Sequence, residues 1–267
     1  MKSKKQTKLE KKILDKLSGV HLKLANLLFE DEEINHLQDY ANTVSIKRLN
    51  FNDHGPVHMR QVLLNAITFY EILTSNGILL SLEDESCGNS DDSLIAIICA
   101  AFLHDLGMSI ARQNHENTGF SIASPIIDRI LNQIFPDDNY KKIVVRSLAL
   151  EGILGHMGTT RIHSLEAGII LVADGCDMAK GRARIPIMIS TESRMGDIHK
   201  YSSAAVENVT IGEGDDKPIK ITITMKAEVG LFQLEEVLLP KINMSPLKKY
   251  IELYGDILKS KEIKRYL

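Results

Sequence analysis

Three features of the sequence predict a mainly α fold: an all-helical core followed by a smaller α+β C-terminal domain. Apolar residues recur at helical spacing through most of the first 180 positions. A strongly apolar segment, LIAIICAAFL at 94–103, reads as a helix buried on nearly all sides. After Gly181 the texture changes to apolar–polar alternation at 206–211 and 219–225, with GEGDDKP between the two runs. The expected organisation is a basic N-terminal helix over 1–24, a helical domain over 25–184 and a small α+β domain over 185–267.

In the Lys-rich first 23 residues, Leu9, Ile13, Leu14 and Leu17 make one stripe, so this helix is expected to lie on the main body. Carboxylates suit a helix N-terminus, and the run from Glu30 to Glu33 opens the next helix. Val57, Met59, Val62, Leu63, Ala66, Ile67, Tyr70 and Leu73 predict one long helix over 56–73, with Pro56 in its first turn. Residues 77–92 read as an exposed acidic loop, after which Asp91, Asp92 or Ser93 caps the apolar helix. That helix is expected to end at Gly107, and the next to start near His115. Pro125, Pro136 and the group Asp137, Asp138 and Asn139 punctuate the stretch beyond it, with helices over 140–150 and 164–178. The alternating runs form a β-hairpin, and 231–239 and 247–258 read as helices.

Composition excludes several function classes. The 267 residues carry 32 Lys+Arg against 35 Asp+Glu, a formal charge of −3, so no overall field draws nucleic acid or anionic membrane. Trp is absent and aromatics are 5%, which argues against a platform that stacks bases. Cys87, Cys99 and Cys176 are scattered and form no Cys-x-x-Cys pair, which excludes a thiolate zinc knuckle and points to a reducing, cytoplasmic setting. No apolar run is read as approaching the roughly 20 residues of a membrane span. The basic N-terminus lacks the apolar core of a signal peptide. A hairpin edge in the C-terminal domain wants pairing, so a homodimer is expected.

The chemistry concentrates in the histidines. His104 and Asp105 are adjacent at the end of the buried helix, where two ionisable groups are costly unless partnered. A divalent cation would take a neutral imidazole nitrogen and a carboxylate oxygen; alternatively Asp105 hydrogen-bonds His104 and caps the turn. His54 and His58, four residues apart, share one face if both are helical. His115 precedes Glu116, His156 lies between Gly155 and Met157, and Asp174 sits at the polar end of an apolar helix as cap, ion-pair member or ligand. Asp177 reads as a helix cap, with the orienting of a ligand as the other reading. Lys180, Arg182 and Arg184 follow Asp174, and a guanidinium can grip phosphate oxygens in a bidentate fork; equally, these cations could complement a helix end or join the two domains. Arg112 and Arg161 are further substrate candidates, each in a loop beside a proposed ligand.

Taken together, these residues resemble the HD superfamily of metal-dependent phosphohydrolases over about residues 50–185. His58-x-x-Gln61-Val62 with Ala66 is similar to its first-helix pattern, Phe102-Leu103-His104-Asp105-Leu106-Gly107 to its name-giving motif, and Val172-Ala173-Asp174 to its closing one. The further histidines His115 and His156 resemble the two-metal branch related to HD-GYP phosphodiesterases. His54 stands where some of those enzymes carry Glu. Met108 replaces their usual Lys and the Gly-Tyr-Pro motif is absent, so cyclic-di-GMP specificity is not carried over.

The resemblance implies a first metal on His58, His104, Asp105 and Asp174, and a second on Asp105, His115 and His156. It implies one or two divalent transition metals per chain, with Mn or Fe favoured and Zn, Co, Ni or Mg as alternatives. The implied activity is hydrolysis of a phosphate ester, a nucleotide being the expected small-molecule substrate, with water activated at the metal site. Asp105 would be central to catalysis, and His54 or His115, whichever stays off the metal, would protonate the leaving oxygen. A nucleotide-sensing module, keeping the metal but turning over little and acting through its C-terminal domain, is the alternative.

Overall fold

The computed structural model describes residues 2–49, 51–178, 198–258 and 262–267. Helix α1 (Lys4–Leu14) starts at Ser3 with a reciprocal cap: the Ser3 hydroxyl accepts from the Gln6 N–H, and the Gln6 amide oxygen accepts from the Ser3 N–H. Its stripe, Leu9 and Ile13, is buried against the main body, as the sequence predicts. Helix α2 (Gly19–Glu30) follows. The Asp31 carboxylate then caps α3 (Glu32–Thr43) by accepting from the Ile34 N–H. Helix α3 runs on into a π-helical turn, Val44–Arg48.

Helix α4 (Pro56–Ser75), the short α5 (Ser81–Asp84) and α6 (Ser90–Leu103) come next. The cap of α6 is Asn89, in a capping box with Asp92, rather than Asp91, Asp92 or Ser93; its side-chain oxygen reaches the N–H three residues on. The acidic segment before it is not wholly exposed, because Leu80 and Leu82 turn inward and anchor it. Helix α6 is buried from Asp92 to Leu103 and is packed by α2, α4, α8 and α9. Ser90–Ser109 has the length and apolar character of a membrane span, longer than the run read from the sequence, and its most apolar 18-residue stretch is wholly buried inside this fold.

A 3-10 turn, Leu106–Ser109, leads to α7 (His115–Ile134). Pro125 lies inside α7 instead of ending it. Both Pro125 and Ser121, whose carbonyl loses its partner, are exposed, so water can satisfy that carbonyl. Helices α8 (Asn139–Gly155) and α9 (Leu165–Gly175) are capped by Asp138 and Ser164.

The C-terminal part begins with α10 (Ile198–Ala205) and the predicted hairpin, β1 (Val206–Glu213) antiparallel to β2 (Ile219–Met225). A π-helical segment, Gln233–Leu238, and α11 (Leu239–Met244) cross over to β3 (Ile251–Ile257). Strand β3 lies parallel to β2, with Ile219 opposite Ile251, and β4 (Glu262–Arg265) closes the sheet in the order β1-β2-β3-β4. The helix expected over 247–258 is therefore mostly a strand. Ile251, Glu252 and Leu253 are all buried, so a strand paired on both edges hides the alternation that would reveal it. One hydrophobic cluster runs from Ile13 through α4, α6 and α9 to Ile221 and Leu253, so the sheet shares the helical core.

Candidate metal centre

Five helix ends meet at one end of the bundle. His58 lies in the first turn of α4, and His104 and Asp105 follow α6 directly. His115 opens α7, His156 follows α8, and Asp174 closes α9. The turn at Gly107 fixes the approach: a side chain there would overlap the His115 carbonyl and lie 2.6 Å from the Gly119 nitrogen, so only glycine lets α7 start so close to Asp105. His54 is not on α4 but just before its cap, Gly55; even so its ring centroid is 5.5 Å from that of His58. His58, His104, Asp105, His115 and His156 are at most 1% exposed.

Backbone and carboxylate acceptors fix the ring tautomers. His104 Nδ1 donates to the Ala101 carbonyl at 3.0 Å, His115 Nδ1 to Arg112 at 2.9 Å and His156 Nδ1 to Ile153 at 2.6 Å. His58 Nδ1 donates to Asp177 Oδ2 at 2.7 Å. A carbonyl or carboxylate can only accept, so in the neutral rings each Nε2 is a bare lone pair. Asp177 thus orients a ligand candidate rather than serving only as a cap.

Those lone pairs converge on two places. In the first, His58 Nε2 is 3.2 Å from His104 Nε2, from Asp105 Oδ2 and from Asp174 Oδ1. His54 Nδ1 reaches the same Asp105 oxygen at 2.7 Å. In the second, His115 Nε2 is 3.0 Å from His156 Nε2, and the two lie 3.1 and 3.4 Å from Asp105 Oδ1. Acceptors facing acceptors in a buried site repel unless a proton or cation stands between them. The triads His54–His58–Asp105, His58–His104–Asp174 and His104–Asp105–His156 each bring ligand atoms within 4.8 Å of one another. Imidazole and carboxylate together suit a divalent transition metal, so the donor set fits one.

The electrostatics agree. Burial pushes the Asp105 carboxyl up, but His104, His54 and His115 outweigh it and hold it well below the usual carboxylate range. Burial likewise opposes ionisation of Asp174, and Lys241 with His58 and His104 overcomes it. Burial pulls His156 down to about 4 and keeps it neutral. For His115 the Asp105 contact wins over burial and raises the ring, with Arg112 acting against it.

All seven of the ligand and acid–base candidates, His54, His58, His104, Asp105, His115, His156 and Asp174, therefore come together. Arg161 does not join them: it is exposed in the loop before α9. Lys180, Arg182 and Arg184 lie outside the described residues. Sequence reading missed Lys241. From α11 its ammonium pairs with Asp174 and donates to the His156 carbonyl at 2.9 Å, which ties the C-terminal part to the centre. Nothing in the sequence LPKINM marks it out.

No family model matches the chain, and no solved structure matches it. It is 36% identical over 250 residues, covering 94% of each chain, to an uncharacterized protein, MJ1020, of Methanocaldococcus jannaschii. At that identity and coverage the chain belongs to the same family as the M. jannaschii protein.

Proposed function

We propose that the chain is a metal-dependent phosphohydrolase of the HD type, cleaving a phosphate ester with a nucleotide as its substrate class. The observation that carries this reading is the pair of acceptor-only nests that share one carboxylate, Asp105. His58, His104, Asp174 and Asp105 Oδ2 would hold one cation, and His115, His156 and Asp105 Oδ1 a second. The imidazole-rich donor set favours Mn or Fe over Mg, which prefers oxygen. Bound cations would lower the pKa of water and neutralise phosphoryl oxygens, which is the chemistry a phosphate ester needs for hydrolysis at neutral pH.

The chain's own groups supply the rest. Asp105 presents one oxygen to each nest and sets their spacing. Asp177 fixes the His58 ring, and backbone carbonyls fix the other three. At 13%, the His54 side chain is the most exposed of these imidazoles, and it keeps one ring nitrogen on Asp105. That exposure supports His54, rather than His115, as the residue that would pass a proton to the leaving oxygen.

The test is metal content of protein purified without chelator and loaded with Mn, followed by hydrolysis assays on linear and cyclic nucleotides. The expected result is about two metals per chain, falling to about one in His156→Ala, with turnover lost in Asp105→Ala. Nucleotide binding with no turnover under any metal would replace the enzyme by a sensing module. Failure to take up any metal would refute both.

A further inference from the structure

We infer that Arg112 is the substrate-binding residue that receives the anionic phosphate group, on the His115 side of the centre. This rests on the phosphohydrolase reading above and adds to it the residue that anchors the substrate.

Arg112 lies in the loop before α7, and its carbonyl accepts the His115 Nδ1–H at 2.9 Å, so its backbone is pinned to the centre. Its guanidinium carbon stands 5.5 Å from the centroid of the Phe51 ring. Phe51 is three residues before His54, as Arg112 is three before His115. The two loops approach Asp105 from opposite sides: His54 meets Oδ2 and His115 meets Oδ1. The Arg112–Phe51 stack therefore bridges the two loops that flank the shared carboxylate, one of which carries the partly exposed His54.

The guanidinium is unspent. Nη1 of Arg112 is buried and has no hydrogen-bond partner, although a guanidinium N–H without an acceptor is costly to bury. On the facing loop, Asn52 Oδ1 is likewise buried and unpartnered. Among the described residues, the other cations close to the cluster are engaged. Lys241 serves Asp174 and the His156 carbonyl, and Arg60, two residues after His58, serves Glu10, Gln38 and the Pro56 carbonyl. An aromatic face holds the Arg112 fork in plane while leaving its N–H edge for a ligand, the geometry that grips two oxygens of one phosphate.

The test titrates inorganic phosphate into Mn-loaded protein by calorimetry, with metal content and thermal melting measured on the same samples. Arg112→Gln is expected to weaken phosphate binding by about tenfold to a hundredfold, as for a lost charge-assisted contact, with metal content and Tm unchanged. Arg112→Lys, which keeps the charge but not the fork, should recover part of the loss. Equal phosphate affinity in the parent and Arg112→Gln overturns the role of Arg112 while leaving the phosphohydrolase intact. A drop in Tm or metal content that Arg112→Lys restores together with phosphate binding makes the residue structural and also overturns it. Absence of phosphate binding in the Mn-loaded parent overturns the phosphohydrolase reading and this inference with it.

Discussion

Replacing Glu10 by Gln should destabilise the protein through a guanidinium of α4 buried against α1 and α3. Arg60 is fully buried, and its Nε and Nη2 each lie 2.7 Å from Glu10 Oε1. Nη1 donates to Gln38 at 2.9 Å and to the Pro56 carbonyl at 3.0 Å. The guanidinium also stands 5.4 and 4.9 Å from the Phe29 and Phe102 ring centroids. Removing one partner of a buried ion pair costs about 3–5 kcal/mol. The lower end applies here, because neutral acceptors and two aromatic faces remain, and because half-exposed Lys2 already shares Glu10. For 267 residues the unfolding entropy is about 0.56 kcal/mol/K, so a loss of about 3 kcal/mol lowers Tm by about 5 °C. Thermal melting of metal-free protein reads this directly. Pairing Glu10→Gln with Arg60→Met should return most of the stability, since a buried pair can be exchanged for apolar packing without loss. A Glu10→Gln variant that melts within about 1 °C of the parent would refute the argument, and would show that Gln38, Pro56 and the rings suffice for the charge.

Three further outcomes are expected from the packing. Gly107→Ala should cost about 2 kcal/mol or more and lower metal content, because its Cβ collides with the backbone that carries His115; melting and metal analysis on one preparation check both. Burial raises the Glu252 carboxyl, but the Lys217 and Asp216 N–H groups and the Tyr254 hydroxyl bring it down to about 2, below its ordinary 4.5. A depressed carboxyl stabilises the fold above its unfolded pKa and loses that stabilisation as pH falls through the folded one. The Tm gap between the parent and Glu252→Gln should therefore shrink between about pH 4.5 and 2, and a constant gap would remove the linkage. Lys241→Met leaves the Asp174 carboxylate without its ammonium, so metal-free protein should melt lower, and added Mn should raise Tm more in the variant than in the parent. Equal Mn-induced shifts would mean that Lys241 and the cation do not compete for Asp174.

The legible and illegible parts of the sequence divide along physical lines. Ligand candidates could be found because ionisable residues beside apolar segments violate the ordinary preference for burial, as His104-Asp105 and Asp174 do. The helical core was legible from its periodicity, and the hairpin from its alternation. Strand β3 was not, because Glu252 points inward and is held by the N–H groups of Asp216 and Lys217 at 2.6 and 2.7 Å, so a charge sits at a buried position. The α6 cap is hard to place from sequence because five polar residues, from Asn89 to Ser93, compete for one position and only the reciprocal bond decides. Lys241 was invisible because its partner is 67 positions away in the chain. Between Arg112 and Arg161 the sequence offered no distinction, since loop neighbourhood does not say which guanidinium is turned inward and left unbonded.

The centre and the bundle use the same unsatisfied groups. A helix leaves its last four carbonyls without intrahelical donors, and a buried helix end must satisfy them some other way. In α6 the Phe102 carbonyl takes the buried Gln38 amide at 2.9 Å, and the Ala101 carbonyl takes His104 Nδ1. In α8 the Ile153 carbonyl takes His156 Nδ1. Each imidazole thus satisfies the end of its own helix with one nitrogen and aims the other at Asp105. The bond that terminates the helix is also the bond that selects the metal-binding tautomer. Replacing either histidine removes a ligand candidate and at the same time strips a helix end of its donor, so stability and metal affinity should fall together at these positions. At His54, which ends no helix, the two should separate.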